Sequence, residues 1–387
     1  MSMIKPIPYG KQHITEDDIA AVVKTLQSDF LTQGPKIAEF EQAFAAYVGA
    51  KYAVAVANGT AALHLSALAL GVNEKSKVIT TPITFAASAN CVRFCGGTVD
   101  FVDIDPDTAL IDLNILEEKL SSKPLGYYSG VIPVDFSGLP VDLERLKNIA
   151  SQYNLWIIED ACHAPGGYFV DSTGEKQLCG NGKFADLTVF SFHPVKHTTT
   201  GEGGMITTNN EALYQKLMML RTHGITKNPE WMSKNDGGWY YEMQMLGYNY
   251  RLPDINAALG ISQLKRAAEG VQRRREIAKR YDEAFAGKIE FLQTAENVGH
   301  AYHLYIIQVE QRKELYEFLK KQNIFTQVHY IPVHLLPYYR KFGWKEGDMP
   351  VAEKYYQKCL SLPMYPTLTM GEQNFVIEEI LEFVKQK

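Results

Sequence analysis

The sequence predicts an α/β fold: a large, mainly parallel sheet domain followed by a smaller C-terminal α+β domain. Two observations predict it. Through the first two-thirds of the 387 residues, short apolar runs alternate with helical patterns, as expected of a sheet covered by helices on both faces. After about Arg251 the pattern changes to long helices rich in Arg, Lys and Ala, with shorter strand-like runs between them.

Thr15-Glu16-Asp17-Asp18 is a capping-type start, and Ile19, Val22, Val23 and Leu26 follow at helical spacing. Asn58-Gly59-Thr60 opens an apolar helical run from Ala61 to Leu70. Val78 to Thr81 reads as a buried strand stopped by Pro82. Val99 to Ile104, Gly130 to Val134, Leu155 to Ile158 and Leu187 to Phe190 read likewise, each bounded by turn chemistry. Leu143 to Tyr153 is a helix between two of them. Ile255 to Leu264 and Val271 to Phe285 read as helices, Leu304 to Val309 and Phe325 to His329 as strands, with helices from there to the C-terminus. The expected division is residues 1–255 for the large domain and 256–387 for the smaller. The boundary is soft, since a continuous helix would bridge the two. There is no internal repeat and no low-complexity stretch.

Composition narrows the function classes. With 39 Lys and Arg against 44 Asp and Glu, the formal charge is −5, which argues against nucleic acid or an anionic membrane as partner. Met1 to Gly10 holds no apolar run of the signal-peptide kind, and no segment approaches a membrane span. Five cysteines, an odd number, do not form a disulfide framework, so a reduced, cytoplasmic setting is expected. Cys91 and Cys95 have no second Cys or His pair at ligand spacing, so buried thiols are expected there and no metal.

Ligands of an open parallel sheet bind beyond the carboxyl ends of its strands. After Ile158 come Glu159, Asp160, Ala161, Cys162 and His163; after Phe190 come Ser191, Phe192, His193, Pro194, Val195 and Lys196. Thr198 to Gly204 and a strand-like Met205 to Thr208 follow. There is no G-x-G-x-x-G between a first strand and helix, no G-x-x-x-x-G-K-[ST] and no G-x-S-x-G, which leaves dehydrogenases, P-loop enzymes and serine hydrolases without their motifs. Pyridoxal phosphate would use what is present. Its aldehyde needs an amine that can be neutral, which a partly desolvated Lys196 supplies. Its ring nitrogen needs a carboxylate, as Asp160 offers. Its phosphate suits the helix start at Gly59 and Thr60 together with Ser191, and Phe85 suits its ring face. Taken singly, these residues also fit a cap, a solvated loop lysine, a turn serine and a core aromatic.

Ile158-Glu159-Asp160-Ala161 with His163, then Ser191-Phe192-His193-Pro194-Val195-Lys196, then Thr199-Thr200-Gly201-Glu202-Gly203-Gly204, resemble the DegT/DnrJ/EryC1/StrS sugar aminotransferases, which are fold-type I pyridoxal-phosphate enzymes. The likeness begins at Leu31-Thr32-Gln33-Gly34-Pro35 and runs through Asn58 to Leu63, Thr81 to Phe85, Gly247 to Arg251 and Val328-His329-Tyr330. It implies that Lys196 holds the cofactor as a Schiff base and then carries protons, and that Asp160 pairs with the pyridine nitrogen. It places His163 near the ring, Gly59, Thr60 and Ser191 on the phosphate, and Phe85 on the ring face. Asn249 would reach the cofactor phosphate of a neighbouring subunit, making the active unit a homodimer. Arg251 and His329 fall on the substrate side. A lysine rather than histidine at position 196 implies transamination, not the dehydration performed by one branch of the family.

Trp239 to Met243 and Gln327 to Tyr330 are most similar to the branch acting in pseudaminic acid biosynthesis. That likeness implies amination of C4 of a UDP-linked 4-keto-6-deoxy-N-acetylhexosamine with L-glutamate as donor. His193 and His197 flank the lysine and are candidates for contact with cofactor or substrate, and Trp239-Tyr240-Tyr241 is a candidate lid. His13, His64, His223, His300, His303 and His334 read as structural or surface histidines. Competing readings are another fold-type I enzyme acting on amino acids and a non-catalytic protein that kept the fold; intact Asp160 and Lys196 weigh against the second.

Overall fold

Seven strands make the central sheet of the computed structural model, which describes residues 5–295 and 297–385. Residues 1–4, part of the N-terminal stretch read for a leader, lie outside the described residues. The strands are β1 (Tyr52–Val56), β2 (Lys77–Thr80), β3 (Thr98–Phe101), β4 (Gly130–Ile132), β5 (Trp156–Asp160), β6 (Leu187–Ser191) and β7 (Gly204–Thr208). Their order across the sheet is β1-β7-β6-β5-β4-β2-β3. Only β7 is reversed, pairing antiparallel with β1 through Gly204↔Val56 and with β6 through Gly204↔Ser191. The other pairings are parallel, in keeping with the expected sheet.

Period-two alternation explains why the middle strands read as unbroken apolar runs. Val78, Ile132 and Ile158 pack into the layer that holds the helix Gly59–Ala69, while their neighbours Ile79, Val131 and Ile157 pack into the opposite layer, with the helices Leu113–Ser121 and Leu143–Gln152. All six are fully buried, each contributing about 1.5–3 kcal/mol relative to exposure.

Among the elements that the sequence did not announce are β1 and the helix Pro35–Val48 before it. β1 is Tyr-Ala-Val-Ala-Val, and its two alanines dilute the β-branched signal. The helix begins with proline at its first position and ends on Gly49 at φ 82°, the left-handed cap glycine accepts at least cost. Its first amides are held by Asp254, whose carboxylate accepts from Gly34 and Lys36 at 2.8 and 2.9 Å. Asp254 opens the helix Asp254–Leu264, which lies against both Glu16–Leu26 and Pro35–Val48.

Beyond it, Ala267–Phe285 buries Ile277, Ala278, Tyr281 and Phe285 against Tyr305, Ile307, Leu360, Leu362, Val376 and Ile380. An antiparallel three-stranded sheet of Glu290–Phe291, Tyr305–Gln308 and Cys359–Leu362 belongs to this second core. Ile7 joins it, since Ile7–Pro8 pairs in parallel with Ile324–Phe325. The strand expected over Phe325 to His329 is shorter than its pattern. After Phe325 only Gln327 bridges, to Ser361, and the chain then turns inward. Among the described residues, no helix is long and apolar enough to cross a membrane.

Candidate active site

The carboxyl ends of β5 and β6 and the start of the helix Gly59–Ala69 open onto one cavity of about 720 Å³. Eight of the expected site residues line it: Gly59, Thr60, Phe85, Asp160, His163, Ser191, Lys196 and His329. A groove of about 830 Å³ beside Lys288, Lys354 and Lys358 contains none of them.

Asp160 ends β5 and is buried. Its Oδ2 accepts from Ser88 Oγ at 2.6 Å and its Oδ1 from the Cys162 amide at 3.2 Å. Those donors orient the carboxylate toward the cavity, where it can hold a protonated ring nitrogen. Lys196 lies just past β6. Burial pushes its amine down to about 8, against the opposing influence of Cys162 and Asp160. Its Nζ stands 3.4 Å from His303 Nε2.

Gly59 starts its helix behind the cap Asn58, whose side chain accepts from the Ala61 amide at 2.8 Å. A Cβ at Gly59 would stand 3.0 Å from Ser191 Cβ and 3.3 Å from its Oγ. Only glycine keeps this gap between the helix start and the end of β6 open. A helix N-terminus with free amides, a hydroxyl and no side chain in the way suits a phosphate.

His163 is buried, with Nε2 3.2 Å from Tyr330 Oη. Its Nδ1 has no hydrogen-bond partner among the described residues. Burial, with Lys196 nearby, holds the ring well below the ordinary histidine range, hence neutral. His329 is likewise lowered by burial, to about 3, and its Nδ1 meets Ser361 Oγ at 2.8 Å. Phe85 is 62% exposed at the rim, its ring 6.2 Å from that of Tyr330.

Of the remaining expected residues, Asn249 and Arg251 sit apart from this cavity wall. Asn249 is exposed and bridges to Thr222; Arg251 is half-buried and bridges to Val56; Tyr250, between them, does line the cavity. His193 lines it too, whereas His197 points away, its Nε2 2.8 Å from the Ala301 carbonyl. Trp239 and Tyr241 are exposed and do not line it. Cys91 and Cys95 are free thiols, Cys91 buried. Behind β5, Asp135, Glu159 and Cys179 are buried with their polar atoms within 4.8 Å of one another. Burial raises both carboxyls, Asp135 further through Glu159, so the pair holds a proton.

A lowered amine, an oriented carboxylate, an open phosphate cradle and an unpartnered buried His163 nitrogen fit pyridoxal phosphate. Residues 12–381 match the DegT/DnrJ/EryC1/StrS aminotransferase family. The chain belongs to this family. It is 41% identical to the spore coat polysaccharide biosynthesis protein SpsC of Bacillus subtilis, over 98% of this chain and 97% of that one. It is 39% identical to a UDP-4-amino-4,6-dideoxy-N-acetyl-beta-L-altrosamine transaminase of Campylobacter jejuni, over 98% and 99%. A solved structure described as a sugar aminotransferase, Spr1654 of Streptococcus pneumoniae in its PLP form, superposes with a TM-score of 0.88 at 32% identity, over 98% and 99%. The chain is thus a pyridoxal-phosphate-dependent sugar aminotransferase.

In this sugar aminotransferase, Ser88, His303 and Tyr330 complete the site without a local sequence signal of their own. Ser88 carries no motif of its own. Tyr330 appeared only within the resemblance. His303 lies 107 residues from Lys196, and no local spacing connects them.

Proposed function

We propose that this aminotransferase moves an amino group from L-glutamate to C4 of a UDP-linked 4-keto-6-deoxy-N-acetylhexosamine. The product would be UDP-4-amino-4,6-dideoxy-N-acetyl-β-L-altrosamine, on the route to pseudaminic acid. The observation that carries this reading is 39% identity, across nearly both whole chains, to the Campylobacter jejuni transaminase of that name. The Bacillus subtilis relative at 41% supports a second reading, a 4- or 3-aminotransferase acting on another nucleotide sugar.

Bound pyridoxal phosphate supplies an aldehyde that takes up the amino group and a ring that accepts electrons from the reacting carbon. The chain's residues do the rest. Asp160 keeps the proton on the ring nitrogen. Gly59, Thr60 and Ser191 bind the phosphate, and Phe85 covers the ring. Lys196 anchors the aldehyde, then removes the proton from Cα of glutamate and delivers one to C4 of the sugar. With its amine lowered to about 8, the neutral fraction at pH 7 is roughly 300-fold larger than for an ordinary lysine. His163 and His329, both neutral, line the cavity without adding positive charge beside the amine. His329, on the cavity wall, takes the substrate side; Arg251, off that wall, is a candidate for it on the resemblance alone.

In this reading the enzyme is a cytoplasmic homodimer. Asn249 is exposed and off the wall of its own chain's cavity, which suits a contact to a neighbouring subunit's cofactor phosphate.

The test is turnover of UDP-4-keto-6-deoxy-N-acetylhexosamine isomers with glutamate, with the product resolved by NMR. The C4 amine of altro configuration, formed from one isomer and released with 2-oxoglutarate, is expected. Amination only at C3, or only of a sugar without the N-acetyl group, contradicts the reading and favours the second.

A further inference from the structure

Four buried or half-buried imidazoles lie near enough to feel the lysine's charge: His163, His197, His303 and His329. Only one of them touches the amine. Among the described residues, His303 Nε2 is the one hydrogen-bond partner of Lys196 Nζ, at 3.4 Å. The His303 ring is 4% exposed, packed 4.4 Å from the His163 ring at 47° and 5.8 Å from that of His197. Its Nδ1 has no hydrogen-bond partner among the described residues.

The backbone that carries this ring is tied down. The fully buried Arg274 donates through Nη1 to the carbonyls of Tyr302, His303 and Met364 at 3.1, 3.3 and 2.9 Å. The Leu304 amide donates to Ser137 O at 3.1 Å. A guanidinium bridging three carbonyls fixes where the imidazole can reach.

Because no described residue holds Nδ1, none pins the tautomer. Such a ring can serve either state of the lysine. Nε2 accepts from the ammonium in one tautomer and donates to the amine's lone pair in the other.

We propose that His303 is the positioning residue for Lys196, holding the amine at the cavity wall whenever it is not bonded to the cofactor. A lysine that must let go of the cofactor and return each turnover has several free torsions. A fixed acceptor at its tip confines them and returns the nitrogen to the same place. The charged and titratable groups facing this pair are Asp160 and Cys162 from β5 and its following turn, His163, His197, His329 and Arg274. Among the described residues, none of these other groups hydrogen-bonds to Nζ. The inference rests on Lys196 being the reactive lysine and is independent of which sugar is aminated.

Three variants separate positioning from packing. His303→Gln carries an amide to the place of Nε2. His303→Asn carries one only as far as Nδ1, short of the lysine. His303→Leu fills the volume with no polar atom. The first readout needs neither cofactor nor substrate: competitive acetylation of the full-length cofactor-free protein with acetic anhydride across pH, with the Lys196 peptide followed by mass spectrometry. The bond accepted from the ammonium is charge-assisted and stronger than the one donated to the neutral amine, so losing both in a still-dry site lowers the midpoint by about one pH unit. This shift is expected in His303→Asn and His303→Leu, with the wild-type midpoint recovered in His303→Gln. The second readout is the rate of covalent uptake of pyridoxal phosphate, expected to fall about tenfold in Asn and Leu and to recover in Gln. An unchanged midpoint and uptake rate in Asn, or an equal loss in Gln and Asn, overturns the proposal. Should the leucine variant not fold, the Gln and Asn pair decides alone.

Discussion

Gly59→Ala tests the phosphate cradle with a single methyl group. The added Cβ would meet Ser191 Cβ at 3.0 Å and Ser191 Oγ at 3.3 Å, so something must move by a few tenths of an ångström. Neither wall yields readily. Ser191 is locked into the sheet opposite Gly204, and the helix start is held by Asn58 through the Ala61 and Ala62 amides at 2.8 and 3.0 Å. Overpacking of this kind costs about 1–3 kcal/mol, offset by roughly 0.4–1 kcal/mol from the stiffer unfolded chain. The cofactor-free protein should therefore lose only about 1 kcal/mol, a shift of a few degrees in Tm. The cofactor loses more. If the shifted helix start gives up one charge-assisted amide contact to phosphate, about 1.5–3 kcal/mol goes with it, roughly ten- to a hundredfold in Kd. Fluorescence titration of cofactor-free protein with pyridoxal phosphate gives the Kd, and circular dichroism gives the Tm. A Kd within twofold of wild type would refute the cradle; a Tm loss beyond about ten degrees would make the glycine a folding requirement instead.

Ser88→Ala removes the donor 2.6 Å from Asp160 Oδ2. We expect kcat to fall about tenfold with KM little changed, since the carboxylate loses a charge-assisted bond; kcat within twofold would show that Ser88 does not tune it. The rate of cofactor capture by Lys196 should rise with pH around a midpoint near 8, set by burial; a midpoint near the ordinary lysine value would show a solvated amine. Asp135 is raised by burial and by Glu159, so the folded state binds a proton more tightly than the unfolded chain. Its stabilising contribution is full below the unfolded carboxyl value and is lost as pH rises through the raised folded value. Asp135→Asn keeps an oxygen to accept the Val141 amide, 2.9 Å from Asp135 Oδ1 in the wild type, and offers Glu159 a donor that does not titrate. Its Tm should fall less than that of wild type as pH rises above the unfolded carboxyl value, and parallel curves would contradict the shared proton.

The sheet was legible because its middle strands are buried on both faces and so read as uninterrupted apolar runs. The direction of β7 was not, because alternation of side chains says nothing about strand sense. β1 was lost to its alanines. Asp160, Ser191 and Lys196 could be found from sequence because each directly follows or ends a strand, where parallel sheets place their ligands. Gly59 and Thr60 could be found because a capped helix start is a local signal. His303 and Ser88 could not. Each reaches its partner, Lys196 or Asp160, across 107 and 72 residues respectively, and only folding brings them together. Asn249 and Arg251 came from the resemblance alone, and within one chain they stay off the cavity wall.

Borohydride reduction of the yellow holoenzyme, followed by peptide mass spectrometry, tests most directly the placement of the chemistry at Lys196. The account predicts one reduced pyridoxyl adduct, on the Lys196 peptide, with Lys196→Ala binding the cofactor yet giving no adduct. An adduct on any other lysine, or a protein that never takes up the cofactor, would contradict it.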